Sequence, residues 1–288
     1  MTDLLTITGL EKRYAGFNLD AVDIRVAPGH VTGFIGSNGA GKTTTIKAAL
    51  GIIRADAGTI ELFGEPTTSD SARLQRMKER IGVVFDTCAF PTDATVKDIA
   101  LLGRTTYAAW DQPLFDSLAA AFELNRRKRV KQLSRGMGMK LSLAFALAHH
   151  PDLLILDEVT AGMDPVAREE VLEILRSFVA DGSRGILMSS HITSDLEKLA
   201  DEIVCIDKGR IVFTMEKDDI CDMAGIARCR AAEFEAVAQP GMRFIRREYG
   251  IDLLVADRFA FTNSHPEIPC DRAGIDDYMA ITLKGETR

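Results

Sequence analysis

The chain has 288 residues, of which 46% are hydrophobic and 27% are charged, so it can form one large domain or a large domain with a small one. This composition excludes intrinsic disorder, which requires low hydrophobicity together with high charge. The acidic residues outnumber the basic ones and give a net charge of -7, which disfavours direct binding to the phosphate backbone of duplex nucleic acid.

Strands and helices alternate along the first part of the chain, and the pattern then becomes helical. Strands are predicted at Leu4–Thr8, Leu19–Val26, Val31–Ile35, Thr59–Phe63 and Ile81–Phe85. Helices are predicted at Lys42–Leu50 and, in more polar sequence, at Ser69–Arg80. The stretch from about Thr95 to His150 reads as helical, and its apolar pairs are expected on buried faces: Leu101 with Leu102, Leu118 with Phe122, and Leu141 with Phe145.

The alternation resumes after this helical stretch. Strands are predicted at Leu153–Leu156 and Gly185–Ser190, helices at Ala167–Val179 and Thr193–Leu199, and a hairpin from Glu202–Ile206 with Arg210–Thr214. Short, wholly apolar strands separated by helices are typical of a mostly parallel α/β sheet that is buried on both faces.

The last part of the chain carries mixed strand and helix patterns and no phosphate-site motif. We expect strands at Arg243–Ile245, Leu253–Val255 and Ile281–Leu283. The predicted domains are therefore residues 1–215, with a helical subdomain at about 87–145, and a small accessory α+β domain at 216–288.

Neither the cysteines nor the N-terminus indicates secretion or membrane insertion. The five cysteines have no metal-ligand or redox spacing and predict no disulfide framework: Cys88, Cys205, Cys221, Cys229 and Cys270. Residues Met1 to Glu11 lack a signal-peptide core, and the most apolar stretch, Leu141 to Leu156, is interrupted by polar residues and a proline. We therefore expect a cytosolic protein that reaches a membrane only through another chain.

A glycine-rich loop lies between the predicted strand Val31–Ile35 and the predicted helix that follows. It fits the pattern G-x4-G-K-[ST] with Gly36, Ser37, Asn38, Gly39, Ala40, Gly41, Lys42 and Thr43. Glycines let successive backbone N–H groups point at a phosphate, and the helix N-terminus adds its positive dipole end. In such a loop Lys42 reaches the β- and γ-phosphates and the Thr43 hydroxyl ligates Mg2+, so ATP and Mg2+ are the expected cofactors.

Two carboxylates follow the apolar strand Leu153–Leu156. Asp157 would lie beside the Mg2+ shell, and Glu158 would lie one residue further on, where an attacking water can sit. Acids at the carboxyl end of a strand occupy the usual position of chemistry in an open α/β sheet.

Four further segments complete a recognisable order of motifs. Leu133–Met137 lies before the Asp157 strand, Ala161–Asp164 follows it, His191 follows the strand Gly185–Ser190, and Tyr14 precedes the phosphate loop. With these motifs the chain resembles the ATP-binding subunits of ABC transporters from about Leu4 to Thr214. The resemblance implies a P-loop NTPase fold with a mostly parallel core sheet, an antiparallel β subdomain, a helical subdomain and a small C-terminal α+β extension.

The resemblance also assigns roles to individual residues. Tyr14 would stack on adenine, Thr44 would join the ATP-binding loop residues, Glu158 would act as the base for water, and His191 would contact the γ-phosphate. The signature loop would be Ser134, Arg135, Gly136 and Met137, and Asp164 would belong to the D-loop. Taken singly, His191 is more typical of a surface or capping histidine and Tyr14 of an ordinary strand aromatic, and only their order with the other motifs favours the functional roles. The alternative for Ser134 is a helix N-cap.

In this family two subunits pair head to tail, and the signature loop of one closes on the γ-phosphate bound by the other. The resemblance therefore implies an ATPase that dimerises with ATP, as a homodimer or with a paired ATPase subunit. It also implies a motor that works at the cytoplasmic membrane face through a separate permease docked on Thr87–Lys131. No direct nucleic-acid partner is expected.

The chain departs from the common family pattern at two places. Asp86 stands where glutamine is usual, and Arg135-Gly136-Met137 stands where Gly-Gly-Gln is usual. Asp86 could ligate Mg2+, and Arg135 could supply positive charge to the γ-phosphate in trans. Both departures resemble the exporter ATPases that pair with ABC-2-type permeases.

Other functions remain open at this point. One alternative is a non-transport ABC-type ATPase acting on DNA or ribosomes, which the single cassette without heptads disfavours, and another is a small-molecule kinase. The basic run Arg126–Arg129 with Lys131 is typical of a solvated face, although contact with lipid headgroups, the nucleotide interface or nucleic acid is compatible with it.

Overall fold

The computed structural model describes residues 2–67 and 71–288. Its strands are β1 (Leu5–Tyr14), β2 (Phe17–Val26), β3 (Val31–Ile35), β4 (Ala57–Leu62), β5 (Glu65–Pro66), β6 (Ile81–Val84), β7 (Leu153–Asp157), β8 (Gly185–Ser189), β9 (Glu202–Asp207), β10 (Arg210–Glu216), β11 (Gly225–Cys229), β12 (Arg243–Arg247), β13 (Gly250–Val255), β14 (Cys270–Arg272) and β15 (Glu286–Thr287). Its α-helices are α1 (Lys42–Ala49), α2 (Ser71–Lys78), α3 (Val96–Thr106), α4 (Gln112–Ala121), α5 (Arg135–Leu147), α6 (Pro165–Val179), α7 (Thr193–Leu199), α8 (Ala231–Val237), α9 (Arg258–Ser264) and α10 (Ile275–Lys284). The predicted start of the second helix, at Ser69, lies outside the described residues.

The central sheet carries the site. Its strand order is β10-β9-β3-β8-β7-β6, and all neighbours are parallel except β9 and β10, which form the predicted antiparallel hairpin. Strands β3, β7 and β8 are buried along their whole length, because helices α5, α6 and α7 cover one face and helix α1 with strands β1 and β2 covers the other. Their carboxyl ends therefore meet at one edge of the sheet.

A second, antiparallel sheet packs beside the central one, with strand order β2-β1-β4-β5. Strands β1 and β2 form a long hairpin that runs to its turn, where Tyr14 pairs with Phe17. The side chains of Leu5, Leu10 and Val22 are buried in the core between the two sheets. This is the antiparallel β subdomain that the resemblance implied.

Helices α3, α4 and α5 form the helical region between strands β6 and β7. The expectation that Leu101 and Leu102 are buried is wrong, since they are 56% and 43% exposed. Helix α3 buries Val96, Ile99 and Gly103 instead, which lie at i, i+3 and i+7 and form its inward stripe. Of the other predicted pairs, the side chains of Phe122 and Leu141 are buried, and those of Leu118 and Phe145 are partly buried against the same core.

The C-terminal lobe, defined here as residues 225–287, has its own antiparallel sheet with strand order β14-β11-β13-β12-β15. Phe234, Phe244 and Leu253 are buried in its core. The predicted strand at Ile281–Leu283 is wrong, because these residues lie in helix α10. Acidic residues in the first turn of that helix and Lys284 in its last turn complement the helix dipole.

The C-terminal lobe is joined to the central sheet by packed side chains. Ile220, Cys221 and Ile275 belong to the same buried cluster as the helices around the central sheet. Phe213 of β10 meets Tyr278 of α10 edge to face, with ring centroids 5.2 Å apart. The domain boundary between residues 215 and 216 remains a prediction, and it falls within β10, one residue before that strand ends at Glu216.

Three composition-based expectations concern features outside the site. All five cysteines are free thiols. Across residues 2–67 and 71–288, no helix combines the length and the hydropathy needed to cross a bilayer. The basic run is partly neutralised at the surface, since Arg126 lies 3.3 Å from Asp116, and Lys131 lies 2.7 Å from Asp93.

Candidate functional site

The glycine-rich loop connects β3 to α1 at the carboxyl edge of the central sheet. Gly39 and Gly41 have φ of +81° and +120°, a backbone region that L side chains rarely adopt. Gly36 is required for a different reason, because a Cβ there would lie 2.3 Å from the carbonyl oxygen of Ile206. The loop therefore curls tightly and ends at the N-terminus of α1, the geometry that suits an anion.

The Lys42 side chain folds back across this loop. It is only 6% exposed, and its Nζ donates to the Gly36 carbonyl at 2.7 Å. Its nearest carboxylate belongs to Glu158, with an Nζ to Oε1 distance of 3.8 Å. The buried ammonium is thus held mainly by a neutral carbonyl, which leaves its charge available to a phosphate.

Asp157 lies at the end of β7 and is 1% exposed. Its Oδ2 accepts a hydrogen bond from Thr43 Oγ1 at 2.8 Å, and its Oδ1 accepts one from the Ser189 hydroxyl. The parallel register pairs Asp157 with Ser189 on β8 and so brings the two side chains together. The structure therefore joins two of the three residues predicted for the metal shell, Thr43 and Asp157, while the third, Asp86, lines the same cavity.

The donor set fits Mg2+. Hydroxyl and carboxylate oxygens are the hard ligands that Mg2+ takes, usually one or two carboxylates completed by phosphates and waters. Among the described residues no group of three or more histidine, cysteine, aspartate or glutamate side chains could hold a metal by itself. The site therefore suits a metal that arrives with a nucleotide rather than an all-protein metal centre.

Glu158 and His191 form a pair beside Lys42. Glu158 Oε2 accepts the backbone N–H of His191 at 3.2 Å and contacts the Nδ1 atom of its ring. Glu158 adopts φ of +55°, which is uncommon for a residue with a side chain and is the kind of backbone strain found at functional sites. Strand β8 supports it, because the Glu158 N–H donates to the Ser189 carbonyl at 3.1 Å.

These groups surround one open cavity of about 760 Å³, within the size range of small-molecule sites. Its walls are formed by Gly16, Phe17, Ser37, Asn38, Gly39, Gly41, Lys42, Thr43, Thr44, Asp86, Arg135, Glu158, Ala161 and His191. Gly36, Ala40 and Asp157 support this wall from behind as parts of the same loop and strand end. The cavity thus brings together most of the predicted ATP-binding, metal-binding and catalytic residues.

The aromatic residue on the cavity wall differs from the predicted one. Tyr14 is 46% exposed and does not line the cavity, and its ring faces Lys12 Nζ at 5.6 Å from the centroid. Phe17, its partner across the hairpin turn, does line it. Phe17 was not predicted as a site residue, although an aromatic directly after the turn Ala15–Gly16 indicates the same hairpin tip.

The signature segment begins helix α5. Ser134 is its N-cap and accepts the Met137 N–H at 3.2 Å, so the capping alternative holds for Ser134. Arg135 lines the cavity of its own chain, and its Nη2 lies 3.5 Å from the Asp86 carbonyl oxygen. Ser134, Gly136 and Met137 lie outside the cavity wall.

The D-loop segment connects β7 to α6. Asp164 is the N-cap of α6 and accepts the N–H groups of Ala167 at 3.0 Å and Val166 at 3.1 Å. These backbone hydrogen bonds, chiefly that from Ala167, lower the pKa of the Asp164 carboxyl below its usual value. In this structure Asp164 therefore shapes the start of the helix, while Ala161 lines the cavity.

Comparison with known proteins agrees with the order of motifs. A family model described as ABC transporter matches residues 19–161. The chain is 34% identical over 223 residues to the bacitracin transport ATP-binding protein BcrA of Bacillus licheniformis, and the alignment covers 76% of this chain and 72% of that protein. It is 40% identical over 209 residues to the Nod factor export ATP-binding protein I of Burkholderia pseudomallei, with 70% and 67% covered. A solved ATP-binding subunit of an ABC transporter superposes with a TM-score of 0.69 and 29% identity, over 76% of this chain and 92% of that one.

Proposed function

This chain belongs to the ATP-binding proteins of ABC transporters, an ATP-hydrolysing family, and from that membership we propose how its cavity uses ATP and Mg2+ to drive export through a separate permease. One observation carries the proposal. The phosphate loop with Lys42, the Glu158–His191 pair and Phe17 all face the same cavity. Binding, water activation and base stacking can therefore occur on one nucleotide.

The triphosphate lies along the backbone N–H groups of the glycine-rich loop. Lys42 exchanges the Gly36 carbonyl for oxygens of the β- and γ-phosphates, a stronger, charge-assisted contact. Adenine lies at the hairpin tip, where Phe17 lines the cavity and Tyr14 lies across the turn. The contact with adenine is thus assigned to both aromatics of the hairpin tip, Phe17 and the predicted Tyr14.

Thr43 and Asp157, which lie within hydrogen-bond distance of each other, would hold Mg2+. When bound, Mg2+ neutralises the charge that builds up on the transferring phosphoryl group. Asp86 lies on the cavity wall and supplies a further carboxylate to that shell.

Glu158 acts as the base toward the attacking water, and His191 keeps it in place. The His191 ring contacts Glu158 through Nδ1, which leaves Nε2 for the γ-phosphate. As the water oxygen bonds to the γ-phosphorus, Glu158 takes up the water proton, and the bond from that phosphorus to the β,γ-bridging oxygen breaks. Lys42 stabilises the charge left on ADP, and ADP and inorganic phosphate leave.

A second copy completes the site. The signature residues Ser134, Arg135, Gly136 and Met137 lie at the N-terminus of α5, whose dipole favours an anion, and the loop closes on the γ-phosphate of the partner. ATP thus joins the two chains, and hydrolysis releases them. The D-loop of each chain, with Asp164 at its end, lies at the same junction.

Export requires a membrane permease that docks on the helical region. Leu101 and Leu102 on α3 are exposed large apolar side chains within the predicted docking segment Thr87–Lys131 and are available for such a contact. This docking places the chain at the cytoplasmic face of the membrane. The direction of transport follows the ABC-2-type resemblance and the related export protein, and the permease selects the substrate.

Two measurements test this proposal. Purified chain should release phosphate from ATP in the presence of Mg2+, and a chelator should abolish the release. After mild detergent extraction from its source cells, the chain should copurify with a polytopic membrane protein. Copurification with ribosomes or DNA in place of a membrane protein would support the non-transport alternative and contradict the export proposal.

A further inference from the structure

Helix α7 begins two residues after His191 and lacks a local cap. Its N-cap residue is Ile192, whose side chain makes no capping hydrogen bond. A short helix without a cap takes its position from tertiary contacts rather than from its own sequence. The backbone that carries His191 is held on one side by Glu158, which accepts the His191 N–H, and by the Ser190 hydroxyl, which accepts the Ile192 N–H at 2.9 Å. On the other side it is held by the contacts of the first turn of α7.

The C-terminal lobe makes two hydrogen bonds to this helix. Thr193, which is 8% exposed, donates from Oγ1 to Asp276 Oδ2 at 2.8 Å. Glu197 Oε1 accepts the backbone N–H of Ile275 at 2.9 Å. The Ile275 side chain is fully buried in the core around the central sheet, so the start of α10 is fixed against α7.

The other side of α7 faces helix α6. Arg168 of α6 donates to the D-loop carbonyl of Met163 at 3.3 Å, and its Nε lies 3.9 Å from Asp195 Oδ2. Asp195 is 1% exposed, and among residues 2–67 and 71–288 neither that oxygen nor Arg168 Nε has a hydrogen-bond partner. This contact is wide, and the close bond from α6 lies at the other end of α7, where Lys198 Nζ donates to Glu169 Oε2 at 2.6 Å. At the first turn of α7, the close side-chain hydrogen bond from another element is the one from the C-terminal lobe.

We propose that Asp276 is a positioning residue for ATP hydrolysis: through Thr193 it fixes the first turn of α7 and so holds His191 at the γ-phosphate. The inference rests on the proposed role of His191. The His191 side chain is 56% exposed, and its ring contact is with Glu158. Small displacements of a catalytic group cost rate, so the lobe sets turnover without touching the nucleotide.

The test measures steady-state ATP hydrolysis by the full chain. Asp276→Ala should lower kcat about fivefold and leave KM for ATP unchanged, since it removes one hydrogen bond remote from the binding groups. Asp276→Asn should restore most of the rate, because its amide oxygen still accepts the Thr193 hydroxyl. Asp277→Ala is the matched control and should match the wild type, since this neighbouring carboxylate has no side-chain hydrogen bond or ion pair in the described part of the chain.

Two further variants separate positioning from stability. Thr193→Val, which keeps the side-chain shape, should lower kcat as much as Asp276→Ala, and the double variant should fall no further. In a His191→Ala background, Asp276→Ala should have no additional effect. Melting temperatures should stay close to those of the parent chains.

Three outcomes would overturn the inference: an unchanged kcat for Asp276→Ala, an Asp276→Asn rate as low as that of Asp276→Ala, or additive losses with His191→Ala. If wild-type turnover is no higher than that of His191→Ala, the proposed role of His191 is wrong, and this inference falls with it.

Discussion

The nucleotide-facing edge and the C-terminal lobe both contain buried charged side chains, but the neighbours that stabilise these charges differ between the two regions. At the edge, Lys42 is held by a carbonyl and Asp157 by two hydroxyls. In the lobe, Asp252 is 5% exposed and lies 2.7 Å from both Arg228 and Arg247. A buried charge with neutral neighbours can still bind a charged ligand, whereas one between two opposite charges is already satisfied.

The pKa of Asp252 agrees with this difference. Burial opposes its ionisation, but hydrogen bonds from Arg228 and Arg247 outweigh burial and keep the pKa below the usual value. Asp252 is therefore a structural charge of the lobe, whereas we propose that the charges of Lys42 and Asp157 act on a ligand.

The largest effect is expected at Lys42. Lys42→Ala should weaken ATP binding by about a hundredfold or more, because the phosphates lose a desolvated cation. Equilibrium dialysis with ATP and Mg2+ measures this. Lys47→Ala is the matched control, since Lys47 lies exposed in the last turn of the same helix. Equal affinities for the two variants would contradict the assignment.

Glu158 should affect turnover rather than binding. Glu158→Gln keeps the size of the side chain but removes the base, so kcat should fall by about 10² to 10⁴ while ATP affinity stays near that of the wild type. Phosphate release and dialysis together measure both quantities. Glu173→Gln, an exposed acid on α6, is the control, and a normal rate for Glu158→Gln would exclude the role of base.

Asp252 should affect stability alone. Asp252→Asn should lower the free energy of unfolding by about 1–3 kcal/mol, less than for a fully buried pair, because the arginine side chains are 43% and 54% exposed. Urea denaturation measures this change, and ATP binding should be unchanged. Asp271→Asn removes an exposed partner of the same Arg228 and should cost little. A loss of ATP affinity in Asp252→Asn would break the distinction between the two regions.

A smaller effect on the free energy of unfolding is expected when the pH is lowered. The folded pKa of Asp252 lies below the unfolded value of about 3.9, so the unfolded chain binds the extra proton first as pH falls. The stabilisation is fully present at neutral pH and is lost below about pH 4. The urea midpoints of wild type and Asp252→Asn should therefore differ by a constant amount from pH 7 down to about pH 4. This difference should shrink between about pH 4 and pH 3. A difference that grows on acidification would reverse the sign and refute this account.

The central sheet and its phosphate edge could be predicted from the sequence because chemistry restricts the residues there. Gly36 and Gly41 meet backbone and side-chain neighbours that exclude a Cβ, and Asp157 needs a fully buried strand to bring it to Thr43. Such constraints leave fixed spacings that a single sequence reveals. The strands, helices and motif order of this part follow the predictions closely.

The C-terminal lobe was harder to predict, because its elements depend on packing between distant segments. Strands β11 and β14 were not predicted, and Ile281–Leu283 was assigned to a strand on its apolar, β-branched composition. Tertiary packing of Ile281 and Ile275 favours the helix instead. The contact of Asp276 with Thr193 joins residues far apart in the chain, and no local pattern signals it.

One residue missed at the site and one wrong expectation in the helical region both have local causes. Phe17 was missed because only one aromatic of the hairpin tip matches the family position. Leu101 and Leu102 were expected to be buried because apolar pairs usually are, but the inward stripe of α3 begins at Val96 and excludes both. Their exposure is the feature that the proposed permease contact explains.

The most direct test of the account is the mass of Glu158→Gln in sedimentation equilibrium, with and without ATP and Mg2+. Two chains should associate only when ATP is present, with one nucleotide retained per chain, because each signature loop must complete the site of the other chain. The account would be contradicted if Glu158→Gln stayed monomeric when saturated with ATP and the wild-type monomer hydrolysed ATP at full rate.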